Sequence, residues 1–495
     1  MTSTVMPDIY GKVRNLLTFG GQTNYHLERL NNYKKYWNFY NGKHWSFKRT
    51  DEEPVVTMNY TRAIVNTGVN FLFGEGFEVV IPDDPATPEY DPDTRSFIKE
   101  MLEETWRRNK KELWSLKCGQ QGGTTGDVFV RASWEADDVL EAPYCRFDIM
   151  PSQYCFPEYD GTDTQKMTAM LMIFPVFKSK GATGQQEVVV KAEYWTKEKV
   201  VYFEDDVEIG SEENILGEIP IVHIPNYPLS GDPYGISDLV DAVELQKSLN
   251  EVATDISDVV NYHGSPITII EGAGVEEAEK GAGKVWSLPE GAKAYNLEMS
   301  GDLGANLEFF NMIREALFEI TQTPEAVLAG AGEISNTTGV ALAMQYLPLV
   351  QKRKIKILTY GYGLRLLNRL AIIITDKEDD AFHKKLKPLK GNVYRNDVLF
   401  PPALPRDEAI ELDNSLKRLE GGISSRREEM KRLYGWDDKK IDTLLEQIKK
   451  ERLEMEQAEF GSAGDGDVVT PKRPNPDSQS HKVSITAGQG TGDED

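Results

Sequence analysis

Residues Ile236–Tyr262 read ISDLVDAVELQKSLNEVATDISDVVNY. Ile236, Leu239, Val243, Leu249, Val252, Ile256 and Val259 recur mostly at three- and four-residue steps, which predicts a helix over Ile236–Tyr262. Its acids are Asp238, Asp241, Glu244, Glu251, Asp255 and Asp258, and Lys247 is its base. At about 100° per residue, all the acids but Asp238 fall within an arc of roughly 100°. Taken alone, a helix acidic on one side and apolar over most of the rest reads as a solvated surface helix.

Outward from this helix, Gly264–Gly301 holds SPITIIEG, a Gly- and Glu-rich turn, and KVWSLPEGAKAYNLE. These are short runs with strand character, so two or three strands are expected. Asp302–Thr323 returns to helix, with Leu303, Leu307, Phe310, Ile313, Leu317 and Ile320 on the apolar face. The chain therefore sends out a helix, builds a small β-rich tip and comes back as a helix. After Pro324 comes a loop of small residues, AGAGEISNTTG (Ala329–Gly339). A long helix is expected over Val340–Thr375, kinked at Pro348, whose ring removes a backbone donor and clashes one turn back. Lys352, Arg353, Lys354 and Lys356 follow as a basic group, read equally as a solvated helix face and as a local offset to the acidic helix near the loop.

Upstream, Tyr33, Tyr36, Trp37 and Tyr40 share one helix face and read as core rather than as a platform for stacking bases. Helices are expected over Asn59–Phe73, stopping at Gly74, and over Thr94–Leu116, with Phe97, Met101, Leu102 and Trp106 inward. GQQGGTTG (119–126) lacks the order of a phosphate-cradling loop and reads as a turn before a strand. From Gly126 to Ile224, short β-branched and aromatic runs separated by Gly, Pro and Asp predict an antiparallel sheet. Asp205, Asp206 and Glu208 are the densest acidic group there and read as a polar hairpin. Downstream, a strand over Asn392–Phe400 precedes helices over Arg406–Glu420, Arg426–Tyr434 and Lys439–Phe460. Ser425 and Glu428 make a capping box for the middle one. Gly461–Asp495 has the composition of a disordered tail. The fold class is α+β.

The 495 residues are 40% hydrophobic and 27% charged, with 80 acids against 56 bases and a net charge of -24. That balance excludes tight binding of nucleic acid through phosphate neutralisation, though not the passage of DNA that does not stick. It equally disfavours an anionic membrane surface. The apolar stretch Ala169–Phe177 is too short to span a bilayer, and no secretory signal is visible. Cys118, Cys145 and Cys155 are expected as free thiols, and no zinc-site spacing or HExxH occurs, so neither cofactor nor metal is expected. An enzyme acting on nucleic acid with a metal is the competing reading, with no phosphate cradle to support it.

Four segments in order carry a resemblance: YWNFYNGKHW with NYTRAIVNTGVNFLFGEGF; PYGISDLVDAVELQKSLNEVATDISDVV with HGSPITIIEG; NTTGVALAMQYLPLVQKRK; and LEGGISSRREEMKRLYG. Together they resemble the portal, or head-to-tail connector, proteins of double-stranded DNA phages with long non-contractile tails. The resemblance implies a non-enzymatic, portal-like protein of wing, stem, clip and crown, forming a ring, in that family a dodecamer. It implies a wing over residues 1–235 with 371–403 returning to it, stem helices over 236–263 and 302–328, and a clip over 264–301. A tunnel loop over 329–338, a long kinked helix over 339–370, a crown over 404–460 and a tail over 461–495 complete it. It also implies that Asp241, Glu244, Glu251, Asp255 and Asp258 line a channel. The loop residues Gly330, Gly332, Glu333, Ile334, Ser335, Asn336, Thr337 and Thr338 would touch DNA. Glu276, Glu277, Lys284 and Trp286 of the clip would dock partners. At the clip the implied partners are the terminase large subunit and later a head-completion connector protein, and around the wing the major capsid and scaffolding proteins. The implied location is the virion's portal vertex, with the host cytoplasm during assembly. The alternative within virion proteins is a minor head or scaffold component that forms no ring.

Overall fold

The computed structural model describes residues 23–45, 55–82, 92–135, 143–180, 185–205, 207–264, 268–272, 290–296, 303–325, 344–386, 393–403, 408–434 and 438–461. The chain divides into two compact units, Met1–Leu404 and Pro405–Asp495.

In the first unit, α1 (Thr23–Tyr40) and α2 (Tyr60–Phe73) come first, with Asn59 capping α2 by accepting the Arg62 N–H. Strand β1 (Glu78–Val80) leads to α3 (Pro92–Arg108) and α4 (Lys111–Thr125). One helix was expected over Thr94–Leu116; the break at Asn109–Lys110 corrects this. The Asn109 amide donates to the carbonyls of Thr105 and Cys145, and its oxygen accepts the Phe147 N–H. Lys110 then turns with φ 55°. The expected turn over 119–126 is also corrected, because residues up to Thr125 are helical. Glycine is there for closeness: a Cβ on Gly122 would run into the Tyr360 hydroxyl. Only Gly126, at φ 92°, is the turn residue that ends the helix.

The sheet region follows as expected, all antiparallel. Strands β2 (Asp127–Glu135), β3 (Tyr144–Met150) and β9 (Ile221–Pro225) form one sheet in the order β3-β2-β9. Strands β4 (Cys155–Tyr159), β5 (Met167–Lys180), β6 (Gln185–Trp195), β7 (Lys199–Glu204) and β8 (Val207–Glu213) form a five-stranded meander. A small hairpin, β10 (Pro228–Leu229) with β11 (Asp232–Gly235), precedes α5 (Ala242–Gly264). The tip of the expected helix–β–helix excursion contains β12 (Thr268–Glu271) paired with β13 (Lys293–Asn296), and α6 (Leu303–Ile320) packs back against α5.

Helix α7 (Leu347–Glu378) is the axis of the unit's main core, and short α8 (Asp380–Leu386) follows it. Among the described residues it alone is long and apolar enough to cross a membrane. Here Tyr360, Leu364, Leu367 and Ile372 are buried with Phe77, Leu102, Trp106, Trp114 and Ile224 in one cluster. The helix expected from Val340 breaks at Tyr346, just ahead of Pro348, so the proline does not sit inside it as a kink. It lies in the first turn, where an amide has no helical partner to lose. Strand β14 (Asp397–Leu399), shorter than the expected Asn392–Phe400, pairs with β1. Asn396 is used instead as a side-chain tie, bonded to Asn368 of α7 and to the Arg365 carbonyl.

The second unit holds α9 (Glu408–Glu420), α10 (Arg426–Tyr434) and α11 (Asp438–Gly461). Ser425 Oγ accepts the Glu428 N–H, which is half of the expected capping box. Glu429 accepts from Ser415 and from Arg418 through two nitrogens, pinning α9 to α10.

Candidate functional site at the acidic helix

Helix α5 begins at Ala242 rather than Ile236, so Asp241 lies just ahead of its first turn. Asp241, Glu244, Glu251 and Asp255 are exposed, and Asp258 is half-buried. The expected acidic face therefore exists on the single chain. It is not uniformly bare. Lys247 donates to Glu244 at 3.0 Å and Lys35 of α1 lies at 3.7 Å. The hydrogen bond from Lys247 is the main cause that holds the Glu244 carboxyl below its ordinary range.

The opposite face is anchored by a polar ladder that hydropathy does not reveal. Gln246, Asn250 and Thr254, spaced by four, are all buried. They meet an extended stretch ahead of α2 whose alternate amides point toward them. Tyr60 N–H donates to Gln246 Oε1 at 3.0 Å, Met58 N–H to Asn250 Oδ1 at 3.0 Å and Val56 N–H to Thr254 Oγ1 at 3.1 Å. Gln246 returns a bond to the Met58 carbonyl at 2.8 Å. The Asn250 amide nitrogen can only donate, so His44 Nδ1 accepts it at 2.6 Å and His44 Nε2 donates to the Phe39 carbonyl. Burial lowers the His44 pKa, against the opposing effect of that carbonyl, and so favours the neutral ring this arrangement needs.

Below the helix, the base is locked by charge. Lys356 Nζ lies 2.6 Å from Asp238 Oδ2, and Lys352 Nζ lies 3.1 Å from Oδ1. Lys352 also donates to the Thr321 carbonyl at the end of α6. Arg353 donates to the carbonyls of Phe71 and Pro401. These contacts overturn the expected solvated basic face: Lys356 and Arg353 are buried and Lys352 nearly so, leaving Lys354 exposed. Burial by itself would raise the Asp238 carboxyl, but the two ammonium groups outweigh it and hold the group at about 2. Asp238 in the lead-in to α5 is thus tied directly to α7, and through Lys352 to the end of α6.

A family model described as phage portal protein, SPP1 Gp6-like, matches residues 22–458. The chain belongs to this family of phage portal proteins. Portal proteins are structural rather than enzymatic components of the virion, and the family carries association with capsid and terminase and self-assembly into oligomers. The comparison with curated proteins gives no match.

In this portal chain Asp205 and Glu208 of the remaining acidic candidate belong to a hairpin, as the sequence reading has it, and Asp206 lies outside the described residues. Asp205 turns with φ 47° between β7 and β8, and its carboxylate accepts the Val190 N–H. Among the described residues no group of three metal-ligating side chains forms. The three cysteines are buried and free, with burial raising each thiol pKa. Gly330, Gly332, Glu333, Ile334, Ser335, Asn336, Thr337 and Thr338 lie outside the described residues, as do Glu276, Glu277, Lys284 and Trp286. A second buried network went unread in the sequence. Asp127 accepts from Tyr33, His223 and the Gly235 N–H, at 2.5, 2.8 and 2.8 Å. Arg29 reaches Tyr33 and the Cys155 carbonyl. The network joins α1, β2, β9 and β11 into the body that carries the ladder.

Proposed function

We propose that copies of this chain close into a ring, a dodecamer, at one capsid vertex of a phage with a long non-contractile tail, and that double-stranded DNA passes through it during packaging and ejection. In this reading α5 and α6 are the stem, and the face bearing Asp241, Glu244, Glu251, Asp255 and Asp258 looks into the channel. The observation that carries it is the separation of faces on α5: Gln246, Asn250 and Thr254 are spent on the ladder and Val243 and Leu249 are buried, while Asp241, Glu244, Glu251 and Asp255 are left on the surface. A carboxylate wall repels phosphate, so passing DNA makes no counterion-releasing contacts with it. The chain's net charge of -24 agrees with a path that does not retain DNA.

The residues around β12 and β13, including Glu276, Glu277, Lys284 and Trp286, form the clip. The terminase large subunit docks there first and the head-completion connector later. The segment 329–338 is the tunnel loop that touches DNA. The body built on the two sheets is the wing that meets capsid and scaffolding proteins, and α9–α11 are the crown. Assembly takes place in the host cytoplasm. Negative-stain images of the purified protein test this: closed rings with a central hole are expected. A light-scattering mass of one chain across a wide concentration range overturns the reading and favours a minor head protein.

A further inference from the structure

Two surfaces of the first unit are left open, and they match. On α6, Phe309, Met312 and Ile320 are 48%, 57% and 52% exposed. With Ala305 and Ala316 they follow a 4-3-4-4 spacing, so they form one stripe beside the stripe of Ile313 and Leu317 that is buried against the chain's own helices. Glu308, Glu315 and Glu319, all exposed, border it. Such an arrangement on a helix is a packing surface without its partner helix.

The second surface is a groove of about 1030 Å³ between α7, β9 and the β10–β11 hairpin, whose lining includes Leu229, Leu358, Tyr362 and Leu366. Leu358 is 72% and Tyr362 57% exposed, large apolar side chains standing in water on the helix that is otherwise the core of the unit. Along the same side of α7, Leu347, Gln351, Lys354, Leu358, Tyr362 and Arg365 are spaced 4-3-4-4-3. Arg365 pairs with Asp397 and Arg369 with Glu218, whereas Lys354 has no ion-pair partner among the described residues.

We infer that this groove receives the α6 helix of a second copy of the chain, with Phe309, Met312 and Ile320 against Leu358 and Tyr362. The occupant is argued from two facts. The family self-assembles. A ring needs two different, complementary surfaces on each copy, and these are different surfaces on one unit. This rests on the ring reading and adds where neighbouring copies meet.

The test uses the full chain with Met312→Cys and Leu358→Cys together, treated with a short bis-maleimide. Because Cys118, Cys145 and Cys155 are all buried, the two new thiols are the reactive ones. A ladder of cross-linked oligomers on denaturing gels is expected, and each single-cysteine variant should give none beyond traces. In parallel, L358D with Y362D should lose ring-sized particles while keeping the wild-type circular dichroism spectrum, since both residues are exposed. Wild-type rings that give no ladder in the double-cysteine variant, together with rings that survive L358D/Y362D, overturn the inference and leave the ring reading standing. Wild-type protein that stays at the mass of one chain overturns both.

Discussion

Asp238 and Lys356 form an ion pair at 2.6 Å in which both side chains are removed from water. Lys352 shares the same carboxylate, so the cluster holds two cations on one anion. It is worth most as a constraint on geometry, because a buried pair seldom outperforms well-packed apolar groups in stability.

Removing the anion alone is therefore costly. Asp238→Asn leaves two ammonium groups facing each other without a counter-charge, and it should destabilise the first unit by about 3–5 kcal/mol. Urea unfolding at pH 7 measures this. The pH dependence has a definite sign. The folded carboxyl titrates at about 2, below its ordinary 3.8. Its contribution is therefore present above pH 4 and lost as the pH falls toward 2, on the order of 2 kcal/mol in all. The variant should lack that part of the acid limb.

The ladder gives a local readout. Asn250→Ala leaves the Met58 N–H without its acceptor and His44 Nδ1 without its donor, at a cost of about 1–3 kcal/mol. Hydrogen exchange at Met58 should accelerate in the variant. Unchanged protection there would mean that the amide has found another acceptor.

Gly122 and Tyr360 make a coupled pair. Gly122→Ala drives a methyl group into the Tyr360 hydroxyl and should cost about 1–3 kcal/mol or more, as overpacking does. Tyr360→Phe removes the nearest obstacle, leaving Val128 Cγ2 at 2.9 Å from the added carbon, but deprives Asn226 Oδ1 of its donor, at 3.0 Å in the wild type. The double variant should be more stable than the two separate losses predict. Additive melting temperatures would argue against the contact.

For the acidic face, Glu251→Lys, Asp255→Lys and Asp258→Lys together should leave rings intact and slow DNA passage. Added bases create phosphate contacts that weaken with salt. Packaging rate and packaged length at low and high salt are the measurement. No change at low salt would place this face away from the channel.

Much of this fold is legible in the residues. Period-two and period-four apolar patterns locate the sheets, α5 and α6, because burial of one face is what creates those patterns. The failures are informative. Gly119–Thr125 looks like a turn because glycine is read for its backbone freedom, whereas here its missing side chain admits Tyr360. Lys352 and Lys356 look solvated because their partner, Asp238, is more than 100 residues away in sequence. Gln246, Asn250 and Thr254 carry a readable signal, polar residues at a strict interval of four, but it appears only when the helix is searched for polar rather than apolar periodicity. Asp127 offers no local signal, since its partners Tyr33, His223 and Gly235 come from three distant segments.

The ladder between α5 and residues 56–60 also behaves as a vernier. Four residues of helix advance about 6 Å, and two residues of extended chain advance about 6.6 Å. The two rulers drift apart by about 0.6 Å per rung, so three rungs are near the limit before a bond is stretched. They coincide in one register only. Sliding the helix by one residue would also rotate it by about 100° and carry every rung away at once. The joint is thus a detent without intermediate positions: α5 can swing together with the chain it grips, but it cannot creep or turn within that grip.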